Sequence, residues 1–293
     1  MNTPDPTTPD TIAALERKAE RRMVPAGGAE VCWRCFGAGP VLVLLHGGHG
    51  SWLHWVRNID ALAQRFTVCV PDMPGYGESS DVPVPGGLDT LVRSTLASLD
   101  ALIGPTTPVR VAGFSFGGLV GAQLAALRSG VVQLALLGSA GHGTPRRPHG
   151  TLRSWKPAAA SGDAGALSEV MRHNLGVHML RTPHIDPLAV HVHTRSCLRT
   201  RFRSAEAARA SLIGPLLDAL PGALLLAWGE HDVTADPVTV LASLAIRHPA
   251  RTTRTIAGAG HWIQYEQADV VNAMLLDWLQ PRLPTTPPPS LSP

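Results

Sequence analysis

The sequence predicts a doubly wound, mostly parallel α/β sheet carrying one inserted helical segment. Three observations point there. Short apolar or β-branched runs recur at residues 41–45, 66–70, 109–112, 131–137, 223–228 and 252–256, with helix-period stretches between them. Glycine-rich loops follow the C-terminal ends of these runs, where an open α/β sheet builds its site. Residues 142–211 interrupt the alternation. They are rich in His, Arg, Pro and Ser and hold no strand-like run, which predicts a helical cap inserted after a central strand.

In order, residues 1–9 (M-N-T-P-D-P-T-T-P) have the composition of a disordered lead, and the folded domain is expected over 10–280. Residues 11–23 combine helix formers with a charged face and predict a short amphipathic helix; 30–36 predict a strand. The run 41–45 ends at His46-Gly47-Gly48-His49-Gly50-Ser51, and residues 52–64 read as a helix. The run 66–70 leads into Pro71-Asp72-Met73-Pro74-Gly75-Tyr76-Gly77-Glu78-Ser79, a tight loop. Residues 89–103 place Leu91, Leu96, Leu99 and Leu102 at helical spacing. After the insertion, 223–228 ends in Gly229-Glu230-His231-Asp232, 237–246 reads as a helix, and 252–256 ends in Gly258-Ala259-Gly260-His261. An amphipathic helix over 268–279 closes the domain, and the proline-rich tail 281–293 is expected to be disordered.

Bulk composition narrows the function. A chain of 293 residues with 44% hydrophobic content and a net charge of +3 can bury a sizeable core, and its Lys and Arg are too dispersed for a nucleic-acid binder. No stretch has the length of a membrane span and no apolar signal region is seen, so a reduced, soluble, cytoplasmic protein is the expectation. Cys32 and Cys35 form a C-x-x-C, but in a strand-like run the two thiols point to opposite faces; Cys69 reads as core. His191 and His193 form an H-x-H that would need a third ligand to hold a metal.

The chemistry concentrates after three strands. Gly113-Phe114-Ser115-Phe116-Gly117 joins a strand to a small-residue helix start at Gly118 and Gly121, a sharp turn that lifts Ser115 out of the sheet. Asp232 and His261 each follow a later strand directly, so all three side chains share one sheet edge. Serine needs a base within hydrogen-bond reach; His261 can take and return its proton, and Asp232 can hold the imidazole in the right tautomer. Glu230, on the same loop, is the rival acid. The order Ser, acid, His is that of the α/β-hydrolase fold.

The chain resembles the α/β-hydrolase superfamily from about Glu30 to Leu279, through His46-Gly47-Gly48, the Pro71 to Gly77 loop, the serine turn, Gly229-Glu230-His231-Asp232 and Gly260-His261. More narrowly it is similar to the meta-cleavage-product hydrolases, which split C–C bonds in ring-opened products of aromatic catabolism. Gly260-His261-Trp262-Ile263-Gln264-Tyr265-Glu266, Ala268-Asp269, Asn272 and the Trp52/Asn58 stretch carry that likeness. Two positions differ from that group: Phe114 stands where an Asn is usual, and His49-Gly50-Ser51 replaces Gly-Pro-Gly. The resemblance implies oxyanion donors at the backbone N–H groups of Gly48 and Phe116, each typically worth about 3 kcal/mol of barrier. Trp262 is an apolar wall in that family and is expected at the substrate pocket. By their places beside the serine and on the glycine-rich loop, Gly47, His49, Phe114 and Phe116 are expected there too, and His46 as a support of its loop. The resemblance also implies a cap arginine facing a substrate carboxylate, with Arg195, Arg199, Arg201 and Arg203 on offer.

The resulting expectation is a serine hydrolase acting on a small ester or on the C–C bond of a vinylogous diketone acid. No metal or organic cofactor is implied. The expected partner is a small-molecule substrate, with no nucleic acid or membrane, and a homo-oligomer is left open. Two other readings stay open: a cofactor-free haloperoxidase or acyltransferase-type enzyme, and a non-catalytic ligand-binding member of the fold.

Overall fold

In a computed structural model of the chain, residues 9–220, 222–246 and 248–280 are described. The expectations of a disordered lead and tail fall on residues 1–8 and 281–293, outside the described residues. Eight strands form one sheet among the described residues: β1 (Glu20–Ala26), β2 (Ala29–Phe36), β3 (Val41–Leu45), β4 (Thr67–Asp72), β5 (Val109–Phe114), β6 (Val131–Leu137), β7 (Ala223–Gly229) and β8 (Thr252–Ile256). Their order is β1-β2-β4-β3-β5-β6-β7-β8. β2 pairs antiparallel with β1 and β4, and every other neighbour pair is parallel.

The helices are α1 (Asp10–Lys18), α2 (Ile59–Leu62), α3 (Leu88–Ile103), α4 (Phe116–Leu127), α5 (Lys156–Ser161), α6 (Ala164–His178), α7 (Pro187–Leu198), α8 (Ala205–Arg209), α9 (Ile213–Asp218), α10 (Pro237–Ala245), α11 (Ile263–Glu266) and α12 (Ala268–Trp278). β3 shows why the sheet needs cover on both sides. Leu42 and Leu44 pack with Trp52, Trp55 and Ile59 on one face, while Val43 and Leu45 pack with Phe116 and Leu119 on the other. A strand buried on both faces has no polar alternation, hence the unbroken apolar run.

The helix expected over 11–23 is half right. α1 stops at Lys18, and residues 20–26 form the antiparallel edge strand β1. Gly27 and Gly28, both at positive φ, make a two-residue hairpin that pairs Ala26 with Ala29. The Gly-Gly pair marked this turn, but the charged residues 20–22 masked the strand because its outer side faces solvent. The helix expected over 52–64 is also broken: a 3₁₀ turn spans Trp52–Trp55 and α2 begins at Ile59. Between them, the Asn58 amide is drawn to Gln264 O and Asn272 Oδ1, at 2.9 and 2.8 Å, tying the segment to α11 and α12.

α5 to α9 lie between β6 and β7, and the strand-like pairing described in this stretch is a single bridge of His142 with Ser211 at its base. On β2, Cys32 lies opposite Asp72 and Cys35 opposite Cys69, whose sulfur is 3.2 Å away; all four cysteines are free thiols. No described helix is long and apolar enough to cross a membrane.

Candidate active site

Ser115 occupies the turn between β5 and α4 at φ 52°, ψ −117°, a strained conformation for a residue with a side chain. Its surroundings hold it there. The Ser115 N–H donates to Leu137 O at 2.9 Å, and its carbonyl accepts from Gly118 and Ala140 N–H, each at 2.9 Å. The flanking glycines are required by close approach: a Cβ on Gly113 would strike the Gly117 carbonyl, and one on Gly117 would strike the carbonyls of Leu45 and His46. The turn is thereby wedged between β3 and its own helix.

The three residues expected to act together are brought together. Ser115 Oγ lies 2.9 Å from His261 Nε2, and His261 Nδ1–H donates to Asp232 Oδ2 at 2.8 Å. The other carboxylate oxygen accepts from the N–H and hydroxyl of Thr234, both at 2.7 Å. Burial opposes ionisation of Asp232, but His261 and Thr234 outweigh it and hold the carboxyl below its ordinary range. Glu230 is exposed and bonds Gly258 N–H at 2.8 Å, away from the imidazole. Thr234 was missed in the sequence; its place two residues after the acid is the only signal for it. The buried Glu266 carboxylate accepts Gly260 N–H at 2.6 Å and Arg181 N–H at 2.9 Å, fixing the loop that carries His261.

The Gly48 and Phe116 N–H groups, expected as donors to an oxyanion, have no protein acceptor among the described residues. Phe116 opens α4, so its N–H lacks an acceptor within the helix. His46 supports this loop as expected: Nδ1–H donates to Gly47 O at 2.8 Å and Nε2 accepts from Met73 N–H at 3.0 Å. A second support, His54, was not foreseen; its Nδ1 accepts the Gly47 N–H at 3.1 Å. Burial pushes both imidazoles below their ordinary range, so both stay neutral. Asp72 ties the neighbouring loop, accepting from Trp52 N–H at 2.9 Å and Glu78 N–H at 3.0 Å.

Ser115 and His261 open on a cavity of about 640 Å³, whose far wall comes from the segment between β6 and β7. Gly48, His49, Phe114 and Phe116 line it as expected. Gly47 and Trp262 do not. Gly47 is covered by the Phe114 ring and the Ser115 Cβ. Trp262 is turned into the core, where its indole stacks on Tyr265 at 4.2 Å and donates to His54 O at 2.9 Å. None of the four expected arginines reaches the cavity: Arg195 pairs with Glu16, Arg199 with Glu78, Arg201 with Asp81, and Arg203 is exposed. Arg146, Arg153 and Arg209 line it instead. Acidic side chains claim Arg195, Arg199 and Arg201, while Arg146 and Arg209 have no ion-pair partner among the described residues. His193 also lines the cavity, but no described group of three His, Cys, Asp or Glu could hold a metal.

Residues 40–268 match the family described by the alpha/beta hydrolase fold. The chain is 30% identical over 275 residues to the dihydrolipoyllysine-residue acetyltransferase component of the acetoin cleaving system of Pseudomonas putida, covering 87% of this chain and 68% of that one. It is 26% identical to the 2-hydroxy-6-oxononadienedioate/2-hydroxy-6-oxononatrienedioate hydrolase of Paraburkholderia phymatum, over 92% and 99% of the two chains. Its fold is shared with a meta-cleavage product hydrolase from Pseudomonas fluorescens at a TM-score of 0.69 and 22% identity, over 88% and 97% of the two chains. The chain belongs to the α/β-hydrolase family of enzymes.

Proposed function

We propose that the protein is a serine hydrolase that cleaves a small, partly apolar carboxylic ester through Ser115, His261 and Asp232. The observation that carries this reading is the hydrogen-bonded series from Ser115 Oγ through His261 and Asp232 to Thr234, open at its serine end to the cavity. Ser115 Oγ attacks the carbonyl carbon as His261 Nε2 takes its proton, and the tetrahedral oxyanion accepts from the Gly48 and Phe116 N–H groups. His261 then protonates the leaving alcohol, and water releases the acyl group by the reverse roles. The segment between β6 and β7 acts as a cap over the bound substrate.

The second reading is cleavage of a C–C bond in a vinylogous diketone acid. Arg146 and Arg209 favour it, because they place unneutralised positive charge beside the cavity. Phe114 favours the ester: its apolar ring lies 5.0 Å from the His261 ring, where the resembled C–C hydrolases carry a polar residue. Turnover of p-nitrophenyl butyrate, set beside the fading of a yellow ring-fission dienone, separates the two. Release of p-nitrophenol while the dienone colour persists at high enzyme concentration assigns the ester reaction, and the opposite pattern assigns the C–C reaction. Turnover of neither substrate contradicts both.

A further inference from the structure

His261 borders two cavities. Besides the substrate cavity, a second one of about 330 Å³ lies against the same loop, walled by residues 176–183 at the end of α6, His231, Val233 and Gly260. His178, Met179 and His261 are common to both. The His178 ring stands 5.7 Å from the His261 ring, at 62° to it.

The junction joins a fixed main chain to an untethered side chain. Met179 N–H donates to Leu175 O and Met179 O accepts from Trp262 N–H, both at 2.8 Å, and the Glu266 carboxylate holds Arg181 N–H. The His178 imidazole has no such tie. Its Nδ1 is buried without a hydrogen-bond partner among the described residues. Burial pushes this imidazole down to about 3, so it is neutral at physiological pH and free of an ion-pair restraint. A polar ring held by packing alone, between two spaces, can turn without breaking a hydrogen bond.

We propose that the second cavity is the path by which water reaches the acyl-enzyme, and that the His178 ring is the barrier at its junction with the substrate cavity. The inference rests on the serine-hydrolase reading. Phe114, Phe116, Leu152 and Trp155 give the substrate cavity an apolar wall, and an acyl group filling the cavity displaces water from that side. The second cavity gives water a separate approach to His261. There the water oxygen attacks the acyl carbon while its proton passes to His261 Nε2. The bond from carbon to Ser115 Oγ breaks, Oγ regains the proton, and the free acid leaves.

Carbamoylation with p-nitrophenyl N-hexyl-N-methylcarbamate, whose alkyl chain extends into the substrate cavity, tests the path, because formation and hydrolysis of the carbamoyl-enzyme are read separately. One p-nitrophenol is released on formation, and intact mass follows the return of free enzyme. Thr182 lies on the wall of the second cavity and outside the substrate cavity. Thr182→Trp is expected to carbamoylate at the wild-type rate and to decarbamoylate about tenfold more slowly. His178→Ala, which joins the two spaces, is expected to decarbamoylate faster than wild type. Unchanged decarbamoylation in Thr182→Trp, or equal slowing of both steps, overturns the water path. Failure of the folded wild type to carbamoylate at Ser115 overturns the serine-hydrolase reading instead.

Discussion

His261 Nδ1 and Asp232 Oδ2 are 2.8 Å apart, and both side chains are almost wholly hidden from solvent. A hidden carboxylate and imidazole at this distance fix each other's orientation, because neither has water as an alternative partner. Asp232→Asn leaves the shape but reverses the donor at Nδ1. It is expected to lower kcat by about 10⁴. Glu230→Gln is expected to leave kcat near wild type, since Glu230 faces Gly258. Steady-state kinetics of the two variants check the assignment; a crippled Glu230→Gln beside a near-normal Asp232→Asn would reverse it.

The serine turn is constrained by contacts between main-chain segments. A methyl group on Gly117 meets the Leu45 and His46 carbonyls, which belong to β3 and the loop that follows it. Gly117→Ala is expected to destabilise the fold by about 3 kcal/mol and to lower kcat together with Tm. Thermal melting checks it, and an unchanged Tm contradicts the packing described.

Neutral, half-buried histidines make the fold acid-sensitive. Burial lowers His193 to about 4 and His178 to about 3. The unfolded chain takes up protons on these rings near pH 6.5, whereas the folded chain does not, so the unfolded state binds more protons below that pH. Stability therefore falls as pH drops from about 6.5 toward 4 and then 3, with one such ring costing about 2 kcal/mol at pH 5. The urea midpoint is expected to be lower at pH 5 than at pH 7.5, and His193→Leu to narrow the gap. Equal midpoints at the two pH values would count against neutral burial.

Arg146 and Arg209 mark the charged part of the cavity. Replacing both with Ala is expected to raise KM for an ester bearing a carboxylate by about tenfold, with little change for a neutral ester of the same size. Equal effects on the two esters would remove the arginines from substrate recognition.

Much of this architecture was legible because β5 and β7, which lead to Ser115 and Asp232, are buried on both faces, while β8, an edge strand with Arg254 and Thr255 exposed, was legible from its β-branched residues. The runs at 131–137 and 252–256 coincide with β6 and β8 to the residue. Ser115, Asp232 and His261 were found because each closely follows one of the three strands β5, β7 and β8. β1 was not found, because its charged run Glu20-Arg21-Arg22 continues the polar face of α1 and reads as helix. Trp262 illustrates the second limit. It is next to His261 in the chain, yet its side chain turns into the core while the His261 imidazole turns to the cavity. The cap arginines show a third: their pairing with Glu16, Glu78 or Asp81 depends on contacts 120 to 179 residues apart in the chain, and such spacing leaves no local pattern.

The central claim is that Ser115 is a nucleophile activated by His261. A fluorophosphonate probe tests it most directly, with the adduct mapped by peptide mass spectrometry. A single adduct on Ser115 is expected, absent in Ser115→Ala and strongly slowed in His261→Ala. A folded wild-type protein that leaves Ser115 unlabelled, or labels elsewhere at the same rate, would contradict the account.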